Sequence, residues 1–285
     1  LLCITVFFAL AVFMNRRTKE SIQEISEIYM EELNSQLQEK FSTVIELRLG
    51  QVGEIIIQVP AQRVEYGTEM LDMLIQSVDV RNFDYAGFLT KDGALSRIYG
   101  EDLDIFNDVD VLDVLDRTGH LVGMGTNKAG DKFLLLGQLA SYPMEDGQES
   151  LALVTGVSME YLNQALFLDE EDEQVYSHII DREGNFVIRN GGAFRNSYFE
   201  RVREVYGDYN GKTVEEFIGQ LQETMNANQS YSDLVWVEGE ERQIYCSPIA
   251  DNSSWYLISL MKNDTLNEAV TRLDNMRSGI MIGSS

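Results

Sequence analysis

Eleven apolar positions set the frame of this chain: Ile22, Ile25, Tyr29, Leu33, Leu37, Phe41, Ile45, Leu49, Val52, Ile56 and Val59, ten steps across 37 residues. A mean spacing of about 3.7 residues is the period of one helix face, far from the strand period of 2. No proline interrupts the run before Pro60, and glycine enters only at Gly50 and Gly53. The pattern predicts a helix over Thr18–Gln58, roughly 60 Å long at about 1.5 Å per residue. That exceeds the width of a small domain, so the helix is expected to act as a spine along which other elements pack.

Beyond Pro60 the period changes. A second amphipathic helix is expected over Val64–Val78, carried by Met70, Leu71, Leu74, Ile75 and Val78. Tyr85–Thr90 and Ala94–Tyr99 are short apolar strands around Lys91-Asp92-Gly93, a hairpin with glycine where positive φ is needed. A polar, acidic, partly helical segment fills Gly100–Arg117. Strands follow at Leu121–Thr126, Lys132–Ala140 and Ser150–Val157, then a helix at Met159–Leu168. After the acidic link Asp169–Glu173 the order starts again, with strand Val175–Asp181, turn Arg182-Glu183-Gly184 and strand Asn185–Arg189. Helices around Ser197–Tyr206 and Val214–Asn226 come next. Strands at Ser230–Val237, Arg242–Ile249 and Trp255–Met261 lead to a last helix, Asp264–Arg277.

The repetition is present in the residues themselves. Ala86–Gly100 lies over Ser177–Gly191 without a gap at an offset of 91, apolar on apolar and basic-acidic-Gly on basic-acidic-Gly. Leu151–Ala165 lies over Trp255–Ala269 at an offset of 104, sharing acidic-x-Leu-Asn-(Gln/Glu)-Ala. Two alignments in the same order describe a tandem of one module, strand-strand-helices-strand-strand-strand. The expected fold class is α+β: a long N-terminal helix, then two modules, each a five-stranded antiparallel sheet with flanking helices. The boundaries fall at residues 18–60 for the spine, 61–168 and 169–262 for the modules, and 263–277 for the exit helix.

The ends are apolar. Leu1–Met14 is apolar apart from one Thr and one Cys, and a spanning helix needs about 20 such residues. Residues 1–17 are read as the end of a transmembrane helix, with a signal-peptide core as the alternative. Asn15-Arg16-Arg17 and Lys19 would favour a cytoplasmic position, but long domains translocate largely regardless of such charges. Residues 278–285 turn apolar and small and read as the start of a second span. Together these make residues 18–277 one loop outside the cell, or in the periplasm, pinned at both ends.

Charge narrows the partners. The 285 residues hold 22 basic and 47 acidic side chains, a net charge of −25, which repels nucleic acid and anionic lipid. A hydrophobic content of 44% supports real cores and argues against disorder. Cys3 lies in the apolar run and Cys246 in a late strand, so no disulfide is expected and each core must hold by itself.

Motifs of catalysis do not assemble. Gly123-Met124-Gly125 has Lys128 where a dinucleotide fingerprint needs its third glycine, and Gly125 to Gly130 is followed by Asp131-Lys132 rather than a phosphate-loop Lys-Ser/Thr. His120 and His178 each lack a nearby Cys or His, and His178 reads as a structural histidine in a strand. The acids Glu101, Asp102, Asp104, Asp108, Asp110, Asp113 and Asp116 fail the EF-hand test, because Phe106 occupies the third ligand place and no glycine follows. Phe106, Val109, Leu112 and Leu115 instead supply a helix face with the acids on its solvated side. No enzyme, metal or cofactor is expected in this segment.

A membrane helix, a long spine, a duplicated hairpin and two such modules resemble the double Cache sensor domain of bacterial membrane receptors, over Thr18–Arg277. That resemblance implies PAS-like sheets and a homodimer. It also implies a small-molecule pocket in the membrane-distal module, relayed to a histidine kinase, diguanylate cyclase or chemoreceptor output. The family's amino-acid-binding subset carries an Arg-x-Trp-Tyr element; here Arg117 is followed by Thr118-Gly119-His120, and Trp236 and Trp255 both lie in the second module. By the resemblance, the pocket would draw on Arg97 and Tyr99 of the second strand, Met124 and Thr126 of the third, Gln138 of the fourth and Tyr142 just after it. Arg117 is the remaining candidate for an anionic ligand. The acids at its mouth would favour cationic or neutral ligands over carboxylates. The competing reading is a membrane-tethered surface interaction or adhesion module without signalling output.

Overall fold

The computed structural model describes residues 2–105, 111–166, 175–189, 197–249 and 255–262, with side chains from residue 23 onward. Helix α1 (Leu2–Gln58) is unbroken over 57 residues. Its buried side chains, among them Met30, Asn34, Phe41, Ile45, Arg48, Val52 and Ile55, recur at helical spacing on one face. Ile25, Ile28, Tyr29, Leu47 and Ile57 are exposed on the other. The buried stripe is therefore rotated from the purely apolar one, and it contains Ser26, Asn34 and Arg48. Among the described residues no helix is both long and apolar enough to cross a membrane. The expected exit helix and second span lie outside the described residues. The chain forms two compact units, residues 39–168 and residues 1–38 with 169–285.

In the first of these, α2 (Thr68–Asp79) precedes β1 (Tyr85–Leu89), β2 (Leu95–Tyr99) and β3 (Asp104–Ile105). Then come α3 (Val111–Thr118), β4 (His120–Thr126), β5 (Lys132–Leu139), β6 (Ala152–Ser158) and α4 (Met159–Leu166). The sheet is antiparallel in the order β2-β1-β6-β5-β4-β3. Five strands were expected. The sixth, β3, pairs only Asp104 and Ile105 with Thr126 and Gly125, too short to leave a period in the sequence. Arg48 ties α1 into this unit: its guanidinium lies over the rings of Tyr161 (4.3 Å) and Phe83 (5.2 Å) and donates to the Arg81 carbonyl at 2.8 Å.

The other unit repeats the plan with β7 (Val175–Asp181), β8 (Phe186–Arg189), α5 (Tyr198–Val205), β9 (Tyr206–Gly207), α6 (Val214–Asn226), β10 (Tyr231–Val237), β11 (Glu240–Pro248) and β12 (Trp255–Lys262). Its order, β8-β7-β12-β11-β10-β9, is that of the first sheet, again with a two-residue edge strand. The hairpin glycines that the repeat aligns, Gly93 and Gly184, both take positive φ, +82° and +85°. Only glycine adopts that conformation without strain. His178 is buried edge-on to Phe186 at 5.2 Å, and Cys246 is a buried free thiol.

One face of this second sheet meets α1 through a buried polar network. Asn34 Nδ2 donates to Ser247 Oγ (3.1 Å) and to the Leu257 carbonyl (3.4 Å), and Asn34 Oδ1 accepts from Ser259 Oγ (2.5 Å). Ser259 in turn contacts Ser177 Oγ at 2.7 Å, and Gln38 Nε2 donates to Ser247 Oγ at 3.0 Å.

Helix α6 starts on a capping box, with Thr213 Oγ1 accepting from the Glu216 amide and Glu216 accepting from the Thr213 amide. Thr213→Ala should therefore lower stability by about 1 kcal/mol in urea unfolding. The bonds that the Glu216 carboxyl accepts from the Thr213 amide and hydroxyl hold it below its usual range. Its contribution is present at neutral pH and is lost as pH falls through that lowered value, so Glu216→Gln and wild type should converge in acid.

Candidate ligand site

Strand parity divides the first sheet into two sides. Gln138 reaches α1 and Tyr142 the residue that follows it: Gln138 Nε2 donates to the Leu49 carbonyl at 2.7 Å, and the Tyr142 hydroxyl donates to the Val59 carbonyl at 2.5 Å. Tyr142 is fully buried and stacks on Phe88 at 5.3 Å, and burial pushes its phenol up to about 12. On the opposite side, Tyr85 and Leu89 of β1 cluster with Leu121, Leu135 and Val154, covered by Leu103 and by Leu115 of α3.

Tyr85 is the one polar member of that cluster. It is 1% exposed, and its hydroxyl has no hydrogen-bond partner among the described residues. The ring lies against Gly87, two residues on along the same strand face: a Cβ built there would stand 2.3 Å from Tyr85 Oη and 2.8 Å from the Ser96 carbonyl oxygen. Burial raises the Tyr85 phenol well above its ordinary range, the charge of Asp102 adds to this, and Arg97 opposes it. The hydroxyl is a neutral donor at any physiological pH. Leaving such a group buried without a partner costs about 1–3 kcal/mol, and each such case calls for an explanation.

The corresponding cluster of the second unit differs. Ile180, Ile244, Tyr256 and Ile258 are covered by Tyr198, Phe199, Phe217 and Leu221. Every buried phenol there is satisfied: Tyr198 bonds Tyr206 at 2.8 Å, and Tyr256 donates to the Met225 carbonyl. Beside this core, a cavity of about 20 Å3 lined by Tyr209, Lys212 and Phe217 holds no more than one water.

The seven side chains expected to line one pocket do not converge. Met124 pairs with Leu134, and Thr126 with Lys132, which places both on the α1 side with Gln138. Tyr99, opposite Ala86, sends its hydroxyl to Asp79 of α2 at 3.2 Å. Arg117 is exposed on the last turn of α3. Arg97, opposite Gly87, is the one on the Tyr85 side; it pairs with Asp102 at 2.7 Å and donates to the Gly100 carbonyl at 3.0 Å. The expectation placed residues on strands without fixing which face each strand presents, and one step of parity reverses that. Tyr85 was missed, although Tyr-x-Gly on one strand face is itself a signal of a ring laid over a glycine. Among the described residues no three His, Cys, Asp or Glu side chains are grouped to hold a metal.

With this geometry in view, the neighbours among solved structures are informative. The ligand-binding domain of the Pseudomonas fluorescens chemoreceptor CtaA, solved with L-isoleucine, superposes with a TM-score of 0.60. It is 14% identical, over 88% of this chain and 98% of that one. The chain has the double Cache fold. The ligand-binding domain of the Pseudomonas aeruginosa PAO1 chemoreceptor PctB, solved with L-Arg, gives 0.56 at 13% identity, covering 87% and 92%. That of PctC from the same strain, solved with GABA, gives 0.55 at 14% identity, covering 83% and 100%. No protein-family model and no curated protein matches the sequence. Within that fold, Tyr85 gives the compact unit of residues 39–168 an orphan hydroxyl.

Proposed function

We propose that residues 18–277 are the extracellular or periplasmic ligand-sensing domain of a bacterial transmembrane receptor. The distal module, residues 61–168, receives a small molecule and binds it without converting it. Its state passes through helices to a cytoplasmic output of the histidine kinase, diguanylate cyclase or chemoreceptor kind. The apolar run Leu1–Met14 and residues 278–285 belong to the two membrane segments. The observation that carries this reading is the Tyr85 hydroxyl, a buried donor left open on one face of a fold shared with ligand-binding domains. Support for the relay comes from α1, which contributes a buried face to each compact unit.

A fusion of residues 1–285 to the cytoplasmic kinase of a reporter receptor tests the proposal. Output should change with at least one compound of a metabolite library added outside the cell, and Tyr85→Phe should remove that response. A fusion that is folded and cleaved by external protease, yet flat across the library, would contradict it.

The receptor is a homodimer in this account. Ile25, Ile28 and Tyr29 stand exposed on one face of α1, where a second copy would cover them. Sedimentation of the chain at micromolar concentration should show a dimer, and Ile28→Glu should shift it to monomer. Monomer alone in the wild type would remove the outside contact.

A further inference from the structure

The cluster around Tyr85 also limits what can bind there. Resting on the sensor reading above, we propose that the distal site takes an uncharged, largely apolar small molecule whose single carbonyl, amide or hydroxyl oxygen pairs with the Tyr85 hydroxyl.

Two features of β1 point to a built position rather than an accident. Glycine inside a strand weakens it, and Gly87 is the residue that lets the Tyr85 ring lie where it does, since any Cβ there would meet Oη at 2.3 Å. The hydroxyl so placed then makes no bond. Each choice is locally unfavourable, and together they leave a fixed donor without a partner on a side chain that packs in one apolar cluster with Leu89, Leu121, Leu135 and Val154.

The two charged groups that act on the Tyr85 phenol, Arg97 and Asp102, are exposed and matched to each other. Arg97 is the cation on the Tyr85 side, half exposed and held by Asp102 at 2.7 Å and the Gly100 carbonyl. Asp102 is shared with Lys128 at 3.9 Å. A ligand carboxylate would have to take Arg97 from Asp102, and a ligand ammonium would have to take Asp102 from Arg97. Inside the cluster either charge would be buried without a partner, which is far more unfavourable than burying a neutral amide or hydroxyl that finds one bond. The burial and the Asp102 charge that keep the Tyr85 phenol neutral oppose an anion beside it for the same physical reasons. The zwitterions bound by the solved neighbours are thus the wrong class for this chain.

Near-isosteric probes test the charge directly. The chain is melted with hexanamide and 2-heptanone, which are neutral, and with hexanoate and L-leucine, which are charged. The neutral pair should raise Tm in a dose-dependent way while the charged pair leaves it unchanged. Tyr85→Phe should weaken the neutral probes roughly tenfold while the unliganded variant melts no lower than wild type. Stabilisation by hexanoate or L-leucine that depends on Tyr85 would overturn the uncharged class and leave the sensor reading standing. Stabilisation by the neutral pair that survives Tyr85→Phe unchanged would remove the hydroxyl from the site, and no stabilisation by either neutral probe would overturn the proposal.

Discussion

Gly87→Ala is expected to destabilise the chain by about 2–3 kcal/mol, at the upper end for overpacking a core. The added Cβ would stand 2.3 Å from Tyr85 Oη, 2.9 Å from its Cζ and 2.8 Å from the Ser96 carbonyl oxygen. The ring could swing out, but the carbonyl belongs to the paired strand β2 and cannot. Tyr85→Phe should act in the opposite direction, stabilising the unliganded chain by about 1 kcal/mol by removing a buried donor that has no partner. In the double variant the Gly87→Ala loss should shrink by about 1 kcal/mol, since the shortest of the three close contacts is gone, as coupling between touching residues requires. Urea unfolding of the four chains measures the cycle. Strict additivity would mean that Tyr85 does not lie over Gly87, and a destabilising Tyr85→Phe would mean that its hydroxyl is bonded after all. Stability and function would then pull apart at Tyr85, as they do at many binding sites.

Asn34→Leu should lower stability by about 2–3 kcal/mol. Leucine shares asparagine's branching and number of side-chain heavy atoms but is bulkier and makes no hydrogen bond, so it leaves Ser259 Oγ, Ser247 Oγ and the Leu257 carbonyl each short of one partner in a buried interface. Gln38→Leu, at the partly exposed edge of the same network, should lose less, about 1 kcal/mol. Asn34→Asp keeps the acceptor for Ser259 but buries an unpaired charge. Burial raises that carboxyl's pKa, so the variant should be least stable near neutral pH and should recover as pH falls and the carboxyl takes up its proton. Urea unfolding across pH reads all three. A neutral or stabilising Asn34→Leu would show that the network is replaceable by apolar packing, as buried polar groups sometimes are, and would take from it any role in fixing where α1 sits on its sheet.

The sequence pattern made the architecture legible because each long element carries its own period. Ile22 to Val59 announces one helix, and the aligned hairpins around Gly93 and Gly184 announce the duplication, later seen as the same strand order in both sheets. The pattern could not show strands β3 and β9, whose two residues span less than one alternation. It also misplaced the buried stripe of α1 by less than one turn: Ser26 and Asn34 are buried where Ile25 and Tyr29 are exposed, and at Asn34 the polar partners on the sheet outweigh side-chain hydropathy. The candidate site was harder. Met124, Gln138 and Tyr142 are apolar or half-polar residues on the right strands, but strand parity turns them to the spine. Tyr85–Thr90 reads only as a short apolar strand, because a tyrosine's place in a sequence gives no sign of whether its hydroxyl is satisfied.

The most direct measurement of the central claim is hydrogen exchange with and without the compound that gives the largest thermal shift. Protection is expected in β1 over Tyr85–Leu89, in its partner β6, and in Leu103–Ile105, the segment that covers Tyr85, with β11 and β12 unchanged. Protection confined to β11 and β12, or to the groove of about 550 Å3 between α1 and α2 lined by Glu54, Gln58, Met73 and Arg81, would contradict it.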